Sequence, residues 1–242
     1  MKAIKTVNLT KRYKDVTALD RVNLEIDDGE LFSLLGINGA GKTTMIKMLT
    51  CLALPTEGDA YVGGKSVIDH SNDIKRFIGV SPQESAIAPN LTAKENLELI
   101  AGIHGFSKKE SEARISDISL KLGLGSVLGR KAGKLSGGFQ RRLSIAMALI
   151  SEPKILFLDE PTLGLDVIAR RELWDLILDM KGKVTIVLTT HYMEEAEALS
   201  DRIGIMKDGR LLAVGGAPEL KNLAGVSDFE SAFISIVKGD VI

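Results

Sequence analysis

The stretch Leu31-Phe32-Ser33-Leu34-Leu35-Gly36-Ile37-Asn38-Gly39-Ala40-Gly41-Lys42-Thr43-Thr44 decides the fold. Its first five residues form a nearly continuous apolar run, which reads as a strand buried on both faces. Gly-x-x-x-x-Gly-Lys-[Ser/Thr] follows directly, and the helix-prone Met45 to Leu52 comes next, the strand–loop–helix setting that a phosphate-binding loop requires. The residue types follow from the task. Glycines let successive backbone N–H groups turn inward around phosphate oxygens, side chains there would block the approach, and the helix N-terminus adds partial positive charge. Lys42 is expected to reach the β- and γ-phosphates of a nucleotide, and the Thr43 hydroxyl to ligate magnesium. Gly36, Asn38, Gly39, Ala40, Gly41 and Thr44 supply the rest of the cradle.

Other buried runs surround this one. Ile155 to Leu158, Val184 to Leu188 and Ile203 to Met206 are also nearly all apolar, mostly with helical stretches between them, as in a parallel sheet sandwiched by helices. Shorter runs at Ile4 to Leu9, Val22 to Ile26 and Ala60 to Val62 are divided by turn formers such as Asp27-Asp28-Gly29 and Gly63-Gly64, and they read as a small antiparallel sheet. Between Gln83 and Pro153 no strand stands out. Leu97, Ile100 and Ile103, then Ile115, Ile118 and Leu122, recur there at helical spacing, and Thr92 with Glu95 makes a capping box. The expected fold class is therefore α/β, a phosphate-loop NTPase core with an antiparallel β subdomain and a helical insertion. Residues 1–83 form the first part of the core, 84–152 the helical subdomain, 153–216 the second part of the core and 217–242 a helical tail.

Composition bounds the function. The chain has 242 residues, long enough for a large core without staples. Its 31 Lys and Arg against 32 Asp and Glu leave a formal charge of −1, so no bulk field draws it to a nucleic-acid backbone or an anionic bilayer. Cys51 is its one cysteine, which excludes an intrachain disulfide and a Cys/His zinc cluster and suits a reducing compartment. It is expected to sit in the apolar core. The opening residues lack a signal-peptide apolar region, and no apolar run approaches the ~20 residues of a spanning helix.

A phosphate cradle hydrolyses nothing without metal and water. The strand Ile155 to Leu158 delivers Asp159 and Glu160 at its C-terminal end, where open α/β sheets bind ligands. Neighbouring strand residues point to opposite faces, so the two acids take different roles. Asp159 is assigned to Mg²⁺, and Glu160 to polarising the attacking water as general base.

Leu135-Ser136-Gly137-Gly138-Phe139-Gln140 opens a long apolar-patterned helix just before that acidic strand, a second glycine-led helix start. In this position it resembles the signature motif of the ATP-binding cassette (ABC) family, and the resemblance covers nearly the whole chain. Tyr13 resembles the aromatic that stacks on adenine, Gln83 in Ser81-Pro82-Gln83 the Q-loop glutamine near magnesium and the γ-phosphate, Leu163-Gly164-Leu165-Asp166 the D-loop, and His191 the switch histidine. The phosphate-facing groups implied at the signature are the Ser136 hydroxyl and the Gly137 and Gly138 amides. Phe139 departs from the glutamine common at its position. That departure, with the tail Ser227 to Phe233, resembles the ABC-2 type exporter branch. Arg141 and Arg142 face either phosphate or a partner chain. His70 and His104 lie outside any motif and are left at the surface.

The family resemblance implies ATP and Mg²⁺, a second ATP-binding subunit in a homo- or heterodimer, transmembrane permease subunits, no nucleic acid, and a location at the cytoplasmic face of the cell membrane. Two rival classes share some of these features: a soluble ABC ATPase acting on ribosomes or nucleic acid, and a phosphate-loop kinase, which would lack Leu135 to Gln140 and His191.

Overall fold

The computed structural model describes residues 2–240. In chain order the elements are β1 (Lys2–Tyr13), β2 (Val16–Asp27), β3 (Leu31–Leu35), α1 (Lys42–Leu49), β4 (Glu57–Val62), β5 (Lys65–Ser66), α2 (Ser71–Ile74) and β6 (Ile78–Ser81). There follow α3 (Ala93–Ile103), α4 (Lys108–Lys121), α5 (Gly137–Leu149), β7 (Ile155–Asp159), α6 (Val167–Leu178), β8 (Thr185–Thr190) and α7 (Met193–Leu199). The last four are β9 (Arg202–Lys207), β10 (Arg210–Gly215), α8 (Ala217–Ala224) and α9 (Phe229–Lys238).

Two sheets result. A six-stranded sheet runs in the order β10-β9-β3-β8-β7-β6, parallel throughout except for the edge strand β10, and a four-stranded antiparallel sheet runs β2-β1-β4-β5. Every residue of β3, β7 and β8 is buried, which accounts for their unbroken apolar runs. The strand period of two then divides their side chains between two cores. Leu156, Leu158, Ile186 and Leu188 join the helices on one face, with Leu97, Ile115, Leu143 and Trp174. Phe32, Leu34, Phe157 and Val187 point to the other face, where α1 and the antiparallel sheet cover them through Met45, Met48, Ile4 and Ile26. Each such buried Leu or Phe contributes about 1.5–3 kcal/mol relative to exposure.

The helical stretch between Gln83 and Pro153 starts as its sequence signals require. Thr92 and Glu95 form the reciprocal capping box of α3, and Ser107 with Glu110 repeats it for α4. The tail is helical too. Asp228 caps α9 by accepting a hydrogen bond from the Ser231 amide, and Phe229, Phe233 and Ile236, spaced along one helix face, pack on Leu35, Ile203 and Ile205.

The structure corrects the sequence reading at four points. Strand β6 has only four residues, too short for a periodic signal, and β10 alternates as a half-exposed edge; neither was expected. The turn before β10, Asp208-Gly209, has both residues at positive φ (48° and 75°), the hairpin geometry that this dipeptide favours. β1 and β2 run well past Ile4–Leu9 and Val22–Ile26, so Tyr13 ends a strand. Helix α1 starts at Lys42 rather than Met45 and ends at Leu49, so Cys51 lies beyond it at φ 58°, half-buried, its thiol raised by burial.

Candidate functional site

The phosphate loop connects β3 to α1 along the C-terminal edge of the parallel sheet. Gly41, at φ 102°, caps α1, and a Cβ there would stand 2.6 Å from the Ala18 carbonyl oxygen, so both backbone conformation and space demand glycine. No acidic residue stands in the first turn of α1, which leaves its N–H groups and dipole for an anion. Asn38 and Gly39 are exposed at the loop tip, Ala40 is buried, and Thr43 and Thr44 are half-buried. Lys42 folds back over the loop: its Nζ donates to the Gly36 carbonyl at 2.6 Å and stands 3.3 Å from Glu160 Oε1.

Register brings the acids to this place. β7 and β8 pair in parallel with Asp159 beside Thr189. The Thr189 hydroxyl donates to Asp159 Oδ1 and accepts a hydrogen bond from the Glu160 amide at 3.0 Å. Thr43 Oγ1 donates to the same Asp159 oxygen at 3.2 Å. Glu160 turns the other way, at φ 49°, with Oε1 toward Lys42 and Oε2 2.8 Å from His191 Nδ1. Asp159 and Glu160 are each 5% exposed. Six residues from three segments therefore form one network: Lys42, Thr43, Asp159, Glu160, Thr189 and His191.

Thr43 and Asp159 present hard oxygens at one point. Among the described residues no group of three or more His, Cys, Asp or Glu side chains could hold a metal alone. A pair of oxygen donors completed by substrate phosphates is the arrangement Mg²⁺ prefers, so these residues fit it.

The remaining expected residues stand apart from the network. Gln83 is exposed just beyond β6. Ser136 is the N-cap residue of α5 but makes no side-chain cap, and it and Gly137 are exposed while Gly138 is half-buried, so this helix start is open to solvent. The Phe139 ring packs against the helical core beneath the Arg142 guanidinium, and Gln140 donates to the Leu135 carbonyl at 3.0 Å. Tyr13 is 46% exposed with Lys11 over its ring. The Asp166 carboxylate caps α6 through the Ala169 amide at 2.9 Å. His70 and His104 are exposed.

Sequence reasoning missed two residues. Thr189 carried a usable signal, a hydroxyl at the end of a buried strand, but its partner Asp159 is 30 residues away. Glu195 is fully buried, its Oε1 accepting a hydrogen bond from Trp174 Nε1 at 2.9 Å; it sits one turn after His191, where a polar surface residue reads the same way. Arg141 and Arg142, expected to face phosphate or a partner chain, both engage protein groups within this chain. Arg142 pairs with Glu172, while Arg141 is 5% exposed and turns toward the Gln83 segment.

The signature helix α5 packs on β6, three strands from β3, about 14 Å across the sheet at ~4.8 Å per strand. The two outward-facing helix starts of one chain are thus laterally separated.

A parallel sheet that ends in a phosphate loop, with paired acids on the next strand but one, defines a phosphate-loop nucleotide-binding protein. The family model described as ABC transporter matches residues 19–163, and the chain belongs to that family, as an ABC transporter ATP-binding domain. It is 46% identical over 229 residues to human ATP-binding cassette sub-family A member 2, covering 92% of this chain and 9% of that protein. It is 40% identical over 240 residues to the probable multidrug ABC transporter ATP-binding protein YbhF of Escherichia coli (strain K12), covering 97% of this chain and 41% of that one. The chain therefore spans less than half the length of these two relatives. A solved dimeric ATP-binding cassette in a post-hydrolysis state, bound to ADP and Pi, superposes with a TM-score of 0.81 at 33% identity, over 88% of this chain and 98% of that one.

Proposed function

We propose that this domain binds ATP with Mg²⁺ between two cassettes and hydrolyses it to drive export through partner transmembrane permease subunits. The observation that carries this reading is the engagement of Glu160 from both sides, Oε1 by Lys42 and Oε2 by His191. Anionic phosphate entering the loop competes for the Lys42 ammonium, and each Lys42 contact transferred to phosphate releases Glu160 Oε1 to accept a proton from water. Occupancy of the loop and arming of the base become one event. His191 keeps Glu160 Oε2 oriented, and Thr189 fixes the Glu160 amide. Mg²⁺, held by Thr43 and Asp159 with Gln83 near it, supplies charge neutralisation at the phosphates.

Tyr13 stacks on adenine, and the remaining cradle atoms come from Gly36 to Thr44. The terminal phosphate is closed over by Ser136, Gly137 and Gly138 of the second subunit, since the same residues of the first lie some way across the sheet; Asp166 lies at that junction. A two-fold pairing satisfies both helix starts at once. Triphosphate gives the closed pair its differential affinity, and hydrolysis removes it. The residue blocks 1–83 with 153–216, 84–152 and 217–242 serve as nucleotide core, helical subdomain and tail.

Among the described residues no helix is long and apolar enough to cross a membrane. In this reading the transport step belongs to membrane subunits that hold the domain at the cytoplasmic face. The exporter assignment rests on likeness to a multidrug-transporter ATP-binding protein, which also weighs against the ribosome or nucleic-acid reading. The test is turnover by Glu160→Gln and Lys42→Ala: the first is expected to retain ATP and hydrolyse it slowly, the second to lose ATP affinity. Wild-type hydrolysis in Glu160→Gln refutes the proposed base, and unchanged affinity in Lys42→Ala refutes the loop assignment.

A further inference from the structure

The face of α5 that meets β6 is built from Arg141, Ser144 and Ala148, three positions that share one side of a helix. A Cβ on Gly79 would stand 2.3 Å from the Ala148 carbonyl oxygen, so strand and helix backbones touch there. One turn further toward the helix start, the hydroxyls of Ser81 and Ser144 hydrogen-bond at 2.8 Å, both buried. Beyond the end of the strand the Arg141 fork completes the row. Its Nη1 donates to the Pro82 carbonyl and its Nη2 to the Gln83 carbonyl, each at 2.7 Å.

This is an unusual use of a guanidinium. It is 5% exposed, no carboxylate among the described residues lies within ion-pair distance, and Asp159 and Glu195 are the acids whose charges act on it from further off. A planar fork aimed at two successive carbonyls fixes the segment's path in a way that a single point donor cannot. Arg141 is also one turn inside the helix that begins at Ser136-Gly137.

We propose that Arg141 is a positioning residue that makes the Gln83 segment and the Ser136 to Gly138 helix start move as one body. This rests on the nucleotide reading above and adds a specific mechanical link to it. A displacement of Gln83 toward a terminal phosphate is carried through the fork into α5 and reorients the glycine-led helix start that serves the partner copy. Without the fork, each loop finds its own position and the paired state forms less often.

The test uses the full chain with Arg141→Lys, which keeps the charge but offers one point donor, and Arg141→Met, which keeps the stem alone. Binding of a fluorescent ATP analogue to the unpaired chain is expected to stay within about twofold of wild type. kcat, and self-association measured with ATP when Mg²⁺ is withheld, are expected to fall about tenfold, within the usual range of coupling between sites. In a Gln83→Ala background Arg141→Lys is expected to change kcat by less than about twofold, because the residue acts through that glutamine. A merely structural arginine would add its full loss in either background. Additive losses, a parallel loss of nucleotide binding, or wild-type kcat and pairing in Arg141→Lys each overturn the proposal. If Arg141→Met does not fold, Arg141→Lys decides. A wild-type chain that hydrolyses no ATP refutes the ATPase reading instead, and the pairing measurement then decides the Arg141 proposal alone.

Discussion

Lys42 Nζ stands 3.3 Å from Glu160 Oε1, and both side chains are almost wholly buried. The loop lysine and the proposed base are therefore direct partners in the fold. Glu160→Gln removes the base and weakens that pairing at once. Turnover is expected to fall about 10²- to 10⁴-fold, as loss of a general base does, while ATP is retained at least as tightly because Lys42 is freer to meet phosphate. Phosphate release with a parallel nucleotide titration checks both halves.

Thr189 is fully buried and joins the two acids by one hydroxyl. Thr189→Val keeps the shape and deletes both hydrogen bonds, leaving a buried Glu160 amide with one fewer acceptor. A loss of about 1–3 kcal/mol in folding stability is expected, with a fall in kcat larger than the change in nucleotide affinity. Urea unfolding and steady-state kinetics on one preparation would show both, and a variant as stable and active as wild type would mean that Asp159 and Glu160 hold their positions unaided.

Glu195 predicts a pH effect of definite sign. Burial raises its carboxyl above the ordinary value of 4.5, only partly offset by hydrogen bonds such as that from Trp174, and the nearby Glu160 charge adds to the rise. Below about pH 4.5 the acid is protonated folded or unfolded, and its contribution is intact. As pH rises toward the folded value the unfolded chain ionises while the folded chain stays neutral, so stability is lost across that window. Glu195→Gln cannot ionise. It is expected to be more stable than wild type at neutral pH, with the difference closing below pH ~4.5; denaturant unfolding from pH 4 to 8 would show it, and parallel curves would refute it.

Gly41→Ala combines a strained φ of 102° with a Cβ 2.6 Å from the Ala18 carbonyl. Backbone strain of this kind costs about 1–3 kcal/mol before the clash is counted, so both thermal stability and nucleotide affinity are expected to drop. Affinity measured by titration of the folded fraction separates the two effects; unchanged affinity would show that the cradle tolerates displacement of its last glycine.

What the sequence determined by itself is what contiguous residues decide. The loop Gly36 to Thr44, the strands buried on two faces, the capping box at Thr92 and the paired acids after Leu158 are local patterns, each legible because backbone geometry and burial act over a few residues. Strand β6 escaped because four residues carry no period, and β10 because a half-exposed edge lacks an apolar run. Only the tertiary structure could decide that Thr43, Asp159 and Thr189 share one oxygen, since 116 and 30 residues separate those pairs along the chain. The same holds for Arg141: its position allowed an outward role, and the packing of α5 on β6 turned it inward, where the successive carbonyls of Pro82 and Gln83 offered a charged fork its hydrogen bonds.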